Sequence, residues 1–354
     1  DPENPFVVWP EVKKLYDKRK AELKQILKER YAARAAWEKA EPEKAALLKE
    51  YFSGKAPKVD WSAIEQKPNQ PTRNASATVL GLLAKQVGNM VVASADLCNS
   101  DKSEGFLKQT HAFKKGDFNG AFFQAGVSEL TMACVMIGMA LHGGVLPACA
   151  TFFVFSDYMK PALRMAALME IPIIFFWSHD AFRVGEDGPT HQPVEQEAQL
   201  RLLEKLKNHS GRNSMLVLRP ADVNETTEAW KLAIENIYGP TGIILSRQNV
   251  ETLPEGNDYS LVAKGGYIVA GSDENPDVIL IASGSEVSTL VAGAKLLRED
   301  GVRVRIVSVP SEGLFRSQVP GYQIRVLPFR KKKFALTAGL SFAMRGLVGP
   351  YGKI

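Results

Sequence analysis

From Thr72 to about Asn249, short apolar runs alternate with longer segments of helical composition. The clearest run is Ile171-Pro-Ile-Ile-Phe-Phe-Trp177. A strand with one face in water interleaves polar and apolar residues, so a run that is apolar throughout must be covered on both faces. Such strands alternating with helices imply an α/β domain with a mostly parallel sheet. Met90–Ser94, part of Leu146–Phe155, Met215–Arg219 and Ile243–Ser246 read as further strands. Asn74–Gln86, Ser128–His142 and Lys160–Met169 read as helices. After a linker at Leu253–Asp258 the alternation resumes in a smaller α/β unit. There the strands are Val278–Ser283, Val302–Val307 and Phe334–Thr337, and Ser288–Glu299 is a helix. The basic run Arg330–Lys333 reads as a solvated loop before the last strand.

Upstream, residues 11–53 contain no Gly and are dense in Lys, Glu and Ala, a helical composition. Pro42 divides them into two helices, near 11–40 and 43–52. Their basic residues are interleaved with acids, which suits a solvated face and argues against nucleic acid. Ser53–Pro71 is a Pro/Gly/polar linker. The expected organisation is a helical connector and linker over 1–71, one α/β domain over 72–252, and a second over 253–354 that stops short of completion. A length of 354 residues supports two or three domains, and 45% hydrophobic content excludes global disorder. No stretch makes a clean apolar helix of roughly 20 residues, which argues against a membrane span. The net charge of +5 suits an anionic small substrate as well as nucleic acid and decides nothing alone. Cys98, Cys134 and Cys149 form no CxxC pair. The apolar settings of Cys134 and Cys149 imply buried thiols in a reducing compartment. The sequence begins Asp1-Pro2 without Met and ends just after a glycine-rich turn. We therefore expect part of a longer protein, or a separately encoded subunit.

Four features carry chemistry. Glu129 is the only formally charged side chain between Asp117 and Asp157, among Phe122, Phe123, Val127, Leu130 and Met132. A carboxylate there is either a helix-opening acid favoured by the dipole or a buried acid aimed at a ligand's ring nitrogen. Gly185-Glu-Asp-Gly-Pro-Thr-His191-Gln-Pro is a constrained loop after a strand, where parallel sheets bind ligands. It offers Asp187 and His191, and His179 precedes it. The histidines show no zinc spacing, so no metal site is expected from this chain alone. Thr151-Phe-Phe-Val-Phe155-Ser-Asp-Tyr158 is core in the bland reading, yet Phe152 and Phe155 can present faces to a planar ring. Arg73 and Arg247 each follow an element boundary, and arginine is the natural fork for a phosphate monoester.

These segments together resemble transketolases, the thiamine-diphosphate enzymes of the pentose phosphate pathway. The likeness is strongest at Ala140-Leu-His-Gly-Gly144, Arg164-Met-Ala-Ala-Leu168, Arg219-Pro-Ala-Asp222, Leu245–Asn249 and above all the GEDGPTHQP stretch. It covers the chain and weakens after about Pro310. The fold implied is two consecutive parallel-sheet α/β domains, pyrimidine-binding and C-terminal, behind a helical connector. The activity implied is reversible transfer of a two-carbon ketol unit from a ketose phosphate of the xylulose 5-phosphate type to an aldose phosphate, in the cytoplasm. The resemblance makes Glu129 the cofactor-activating acid, which hydrogen-bonds the aminopyrimidine. It sets Phe152, Phe155 and Tyr158 at the pyrimidine ring and Asp96 near the cofactor. It sets Asp187 and His191 at the sugar, and Arg73, Ser100, His179 and Arg247 at the substrate phosphate. The family's Gly-Asp-Gly metal motif is absent here. Magnesium ligands and diphosphate contacts are then expected outside this sequence, on a pyrophosphate-binding domain. This chain would supply half of each site, in a homodimer or paired with such a domain, and be inactive alone. The sequence departs from the family in Ser128-Glu129-Leu130, where an arginine commonly precedes the acid, in a loop at Lys205–Ser214, and in its tail. Alternatives are another thiamine-diphosphate enzyme, such as dihydroxyacetone synthase or deoxyxylulose-phosphate synthase, or a non-catalytic partner-binding fragment.

Overall fold

The computed structural model describes residues 2–271 and 275–354, so Asp1 of the expected connector lies outside it. The chain divides between Ser53 and Gly54 into two compact units. The first is a pair of helices, α1 (Pro10–Ala40) and α2 (Pro42–Tyr51). Proline stands in the first turn of each, where its missing N–H breaks no hydrogen bond. Pro42 also separates them: Glu41 before it takes φ −130°, outside the helical region. No residue of either helix is buried. Exposed pairs such as Arg19–Glu22 and Arg34–Glu38 line α1, each contributing about 0.3–0.5 kcal/mol at most.

The second unit opens with α3 (Thr72–Gln86) and β1 (Met90–Ser94). Then follow α4 (Cys98–Asp101), α5 (Glu104–Leu107), β2 (Phe122–Gln124), α6 (Glu129–His142), β3 (Leu146–Phe152), α7 (Ser156–Leu168) and β4 (Ile174–Ser178). This half closes with α8 (Gln196–Lys205), β5 (Leu216–Leu218), α9 (Val223–Glu235) and β6 (Thr241–Ile244). The six strands lie in the order β2-β1-β3-β4-β6-β5, and every pair is parallel. Both faces are covered, as the apolar runs require. Val92, Ala148, Ile174 and Phe176 pack with Leu80 of α3, Phe106 of α5 and Trp230 of α9. Ala93, Cys149, Phe175 and Trp177 pack with Met132 and Met136 of α6 and Leu163 of α7. Each large buried side chain contributes roughly 1.5–3 kcal/mol.

Several boundaries differ from the expected ones for local reasons. β4 starts at Ile174, because Pro172 has no N–H to give the ladder. β6 stops at Ile244, and the polar groups of Ser246 turn to Thr72: Ser246 N donates to Thr72 Oγ1 at 2.7 Å and Thr72 N to Ser246 Oγ at 3.0 Å. α7 starts before Lys160 and carries Pro161 inside it. Cys149 is buried as expected, but Cys134 is exposed. It falls on the outer side of α6, whose inner side holds Met132, Ala133, Met136 and Ile137.

A second, five-stranded sheet follows, built from β7 (Tyr267–Gly271), β8 (Val278–Ala282), β9 (Val304–Ser308), β10 (Lys332–Ala335) and β11 (Gly352–Lys353). Its helices are α10 (Glu286–Glu299), α11 (Glu312–Arg316), α12 (Pro320–Val326) and α13 (Arg345–Val348). The order is β11-β10-β8-β9-β7. β7 runs antiparallel to β9, so this sheet is mixed rather than wholly parallel. The basic run is only partly a loop: Lys332 and Lys333 belong to β10. Lys333 is buried and donates to Phe329 O at 3.3 Å. Trp230 and Ile243 of the first sheet's layers share one core with Leu253, Val262, Tyr267 and Leu280, which locks the two sheets together.

Candidate active site

All six strands of the first sheet run the same way, so their carboxyl ends share one rim. From β2 along the rim come Glu129 at the start of α6, then Asp96 and Ser100 after β1. Phe152, Phe155 and Tyr158 follow at the end of β3, then His179, Asp187 and His191 after β4, and Arg247 after β6. With strands about 4.8 Å apart, β2 to β6 spans about 19 Å, room for an elongated ligand. α5 after β1 and α7 after β3 pack on opposite faces of the sheet. That divergence opens a crevice between β1 and β3, the usual ligand position in such sheets.

Aromatic rings meet at the centre of the rim. Phe152 and Phe155 lie nearly parallel, 9° apart with centroids at 6.1 Å. Tyr158 adjoins Phe155 at 6.1 Å and is 61% exposed. His191 stands edge-on to Phe155 at 5.2 Å and to Phe152 at 6.2 Å. His179 packs on Phe152 at 3.7 Å, and its Nδ1 pairs with Ser178 Oγ at 2.9 Å. Phe155 is half-buried, so the cluster is a wall with an open side and not a closed core.

Cations gather beside it. Thr72 and Ser246 fix α3 against the end of β6, which brings Arg73 and Arg247 to one place. Arg73 Nη1 donates to Ser100 O at 2.7 Å, while its Nε is buried with no partner among the described residues. Burial, then Arg247 nearby, lowers the Arg73 pKa. Arg247 lies over Gly185: a Cβ there would come 2.9 Å from the Arg247 Cζ. Gly185 also has φ +90°, so glycine is required twice over. His179 is pushed down to about 3 by burial, then by Arg73 and Arg247. It is therefore neutral at ordinary pH. A buried, unpaired guanidinium N–H facing a second arginine suits an anion.

Ser100 enters through its carbonyl. Its turn is anchored by buried Asp101, which accepts from Ser94 Oγ at 2.6 Å and from Ser103 Oγ at 2.6 Å and N at 2.8 Å. Burial pushes Asp101 up to about 6. Three of the expected residues are not drawn into these contacts. Glu129 is 9% exposed, and its carboxylate makes no hydrogen bond or ion pair among the described residues. Asp96 is exposed at φ +64°, and Asp187 is exposed in its loop. Sequence reasoning missed Thr72, Ser246, Ser178 and Asp101. The Pro71-Thr72 pair before a helix and the Ser94/Asp101/Ser103 spacing were visible signals. No group of three or more His, Cys, Asp or Glu side chains comes together as a metal site among the described residues.

Comparison with known proteins agrees with this architecture. Residues 69–252 match the family described as transketolase, pyrimidine binding domain, and residues 265–354 match the transketolase-like C-terminal domain. Transketolase of Halalkalibacterium halodurans is 40% identical over 362 residues, covering 99% of this chain and 52% of the relative. A transketolase structure from Leishmania mexicana superposes with TM-score 0.89 at 31% identity, over 100% of this chain and 51% of that one. A Pichia stipitis transketolase in complex with sedoheptulose 7-phosphate superposes with TM-score 0.85 at 32% identity, over 100% and 52%. The chain thus spans about half the length of the relatives it matches. With both domain matches falling on the two sheets, and the first of them on the rim just described, the chain belongs to the transketolase family.

Proposed function

We propose that this chain forms the pyrimidine-side half of a ketol-transferring site. The site uses thiamine diphosphate and moves a two-carbon unit from a ketose phosphate to an aldose phosphate. The observation that carries the reading is the meeting of Arg73, Arg247 and a neutral His179 beside the Phe152/Phe155 wall. It offers a phosphate pocket at one end and flat apolar faces at the other.

The residues fit the cofactor. Phe152 and Phe155 suit a pyrimidine ring. Glu129, nearly buried and unpartnered among the described residues, suits a ring nitrogen. When bound, thiamine diphosphate supplies a nucleophilic carbon and an electron sink for cleavage of the ketose C2–C3 bond. Glu129 holds a proton against the pyrimidine nitrogen. Arg73 and Arg247 grip the phosphate and fix the length of sugar that reaches the aromatic wall. His179 has Nδ1 committed to Ser178, leaving Nε2 as its free hydrogen-bonding atom. His191, edge-on to both phenylalanines, faces the sugar's reacting end, and Asp187 closes on a hydroxyl from its exposed loop.

Magnesium and the diphosphate are held by a pyrophosphate-binding domain, supplied by a second subunit or a second polypeptide. The chain alone is inactive. By its likeness to the family we place the enzyme in the cytoplasm. No helix among the described residues is long and apolar enough to cross a membrane. The test mixes this chain with a pyrophosphate-binding half, magnesium and cofactor. Turnover of xylulose 5-phosphate with ribose 5-phosphate is expected. Turnover of formaldehyde or pyruvate alone would replace the reading with another enzyme of this chemistry, and no turnover would sink it.

A further inference from the structure

His179 is 3% exposed and has φ +64°, a strained conformation for a residue with a Cβ. Such backbone persists only where the surroundings over-determine it. On one side His179 is held by Phe152 and Ser178. On the other its neighbour Asp180 is clamped. Asp180 Oδ2 accepts from Arg219 Nη2 at 2.8 Å and Nε at 3.2 Å. Arg219 follows β5 and is 1% exposed. Its Nη1 donates to Glu286 Oε2 at 2.5 Å and Ser283 O at 3.0 Å, with Glu197 Oε2 at 3.4 Å. Glu286 opens α10, in the layer of the second sheet. Ser285 Oγ donates to Glu286 Oε1 at 2.9 Å and approaches Asp180 Oδ2 at 3.5 Å. Between them Gly284 has φ +62°, and a Cβ there would come 2.7 Å from Arg219 Nε. The turn after β8 is therefore shaped around the guanidinium.

This chain of contacts runs from the second sheet's layer to the backbone of a rim residue. A planar guanidinium with donors at both ends transmits geometry in a way a lysine would not. Ordinary interdomain glue needs no strained neighbour at its end. Buried Arg201 adds to the junction, reaching Glu197 Oε1 at 3.3 Å and Ser283 Oγ at 3.2 Å, but bonds neither His179 nor Asp180 among the described residues. A separate buried cluster between the sheets, Glu225 with Tyr267, Ser308 and Ala221 N, makes no hydrogen bond to His179, Asp180 or the Arg219 side chain among the described residues.

We infer that Arg219 and Asp180 are positioning residues for His179, and that the second α/β domain takes part in phosphate binding through Glu286–Arg219–Asp180 without touching the ligand. The inference rests on the reading of His179 as part of the phosphate site.

The test compares Asp180→Asn, Glu286→Gln and the control Tyr267→Phe in the full chain. His179 is followed by imidazole 15N NMR, inorganic phosphate binding by calorimetry, and folding by thermal melts. Glu286→Gln is near-isosteric and remote from His179, so it keeps the test alive if Asp180→Asn does not fold. Glu286→Gln is expected to move the His179 resonances and weaken phosphate binding about five- to tenfold. Tyr267→Phe should lower the melting temperature and leave both unchanged. If Glu286→Gln behaves like Tyr267→Phe, the cluster is structural glue and the inference is overturned. If the wild-type chain binds no phosphate, the site reading fails separately. The relay is then judged on the His179 resonances, which support it if Glu286→Gln moves them and overturn it if they stay.

Discussion

Replacing Gly185 with alanine separates two effects that the structure superimposes. At φ +90° a Cβ meets its own backbone, a cost of roughly 1–2 kcal/mol. The same methyl would sit 2.9 Å from Arg247 Cζ and Nη2, inside van der Waals contact. Arg247 is exposed, so its long side chain can swing aside with little further loss of stability. That swing removes the guanidinium from Arg73 and His179. A charge-assisted hydrogen bond contributes about 1.5–3 kcal/mol, and solvent exposure discounts it to about 1.4 kcal/mol, or tenfold in phosphate affinity. A double-mutant cycle with Arg247→Ala reads the two effects apart. On phosphate affinity, measured by calorimetry, Gly185→Ala and Arg247→Ala should each lose about tenfold, and the double variant no more than either, a coupling of about 1.4 kcal/mol. On stability, measured by denaturant unfolding, the alanine's backbone cost of roughly 1–2 kcal/mol should remain in the double variant. Additive phosphate losses, or unchanged affinity in Gly185→Ala, would refute the view that this glycine exists to seat Arg247.

Two further outcomes follow from titration. His179 lies below its ordinary value of 6.5, at about 3, through burial and the two arginines. The unfolded chain therefore takes up a proton that the folded chain refuses, and stability should fall as pH drops from about 6.5 toward 3. NMR should show a neutral ring at pH 5, and a charged one there would contradict the packing. Glu225 moves the other way, up to about 7, through burial and then Asp222. Its ionisation opposes folding, so the contribution is present below its ordinary 4.5 and lost as pH rises toward 7. Glu225→Gln should flatten that decline in melts between pH 5 and 8, and an unchanged slope would exclude Glu225 as its source.

Much of the fold was legible because local patterns were strong. Met90–Ser94 is a strand with the boundaries its apolar run implies, and Pro42 divides the connector helices as expected. The antiparallel β7 was not legible, because nothing in a short apolar stretch states its direction. Lys333 departs from the solvated loop that a basic run implies, because it belongs to a strand and its side chain reaches Phe329 O. The site shows the same division. Glu129 stood out as a lone acid, and the Gly/Pro framing marked the His191 loop. The meeting of Arg73 with Arg247 was not legible in the sequence, since it depends on a Thr72–Ser246 pair 174 residues apart. Nothing in the sequence pairs Asp180 with Arg219, because their burial is decided by how two sheets dock rather than by neighbours along the chain.

The most direct test asks whether Glu129 activates a cofactor held from the other side. In the enzyme assembled from this chain and a pyrophosphate-binding half, exchange of the thiazolium C2 proton into deuterium oxide is followed by NMR. The wild type should exchange fast and Glu129→Gln about a hundredfold or more slower, with the fold intact by circular dichroism. Equal exchange in both would show that this carboxylate does not meet the pyrimidine.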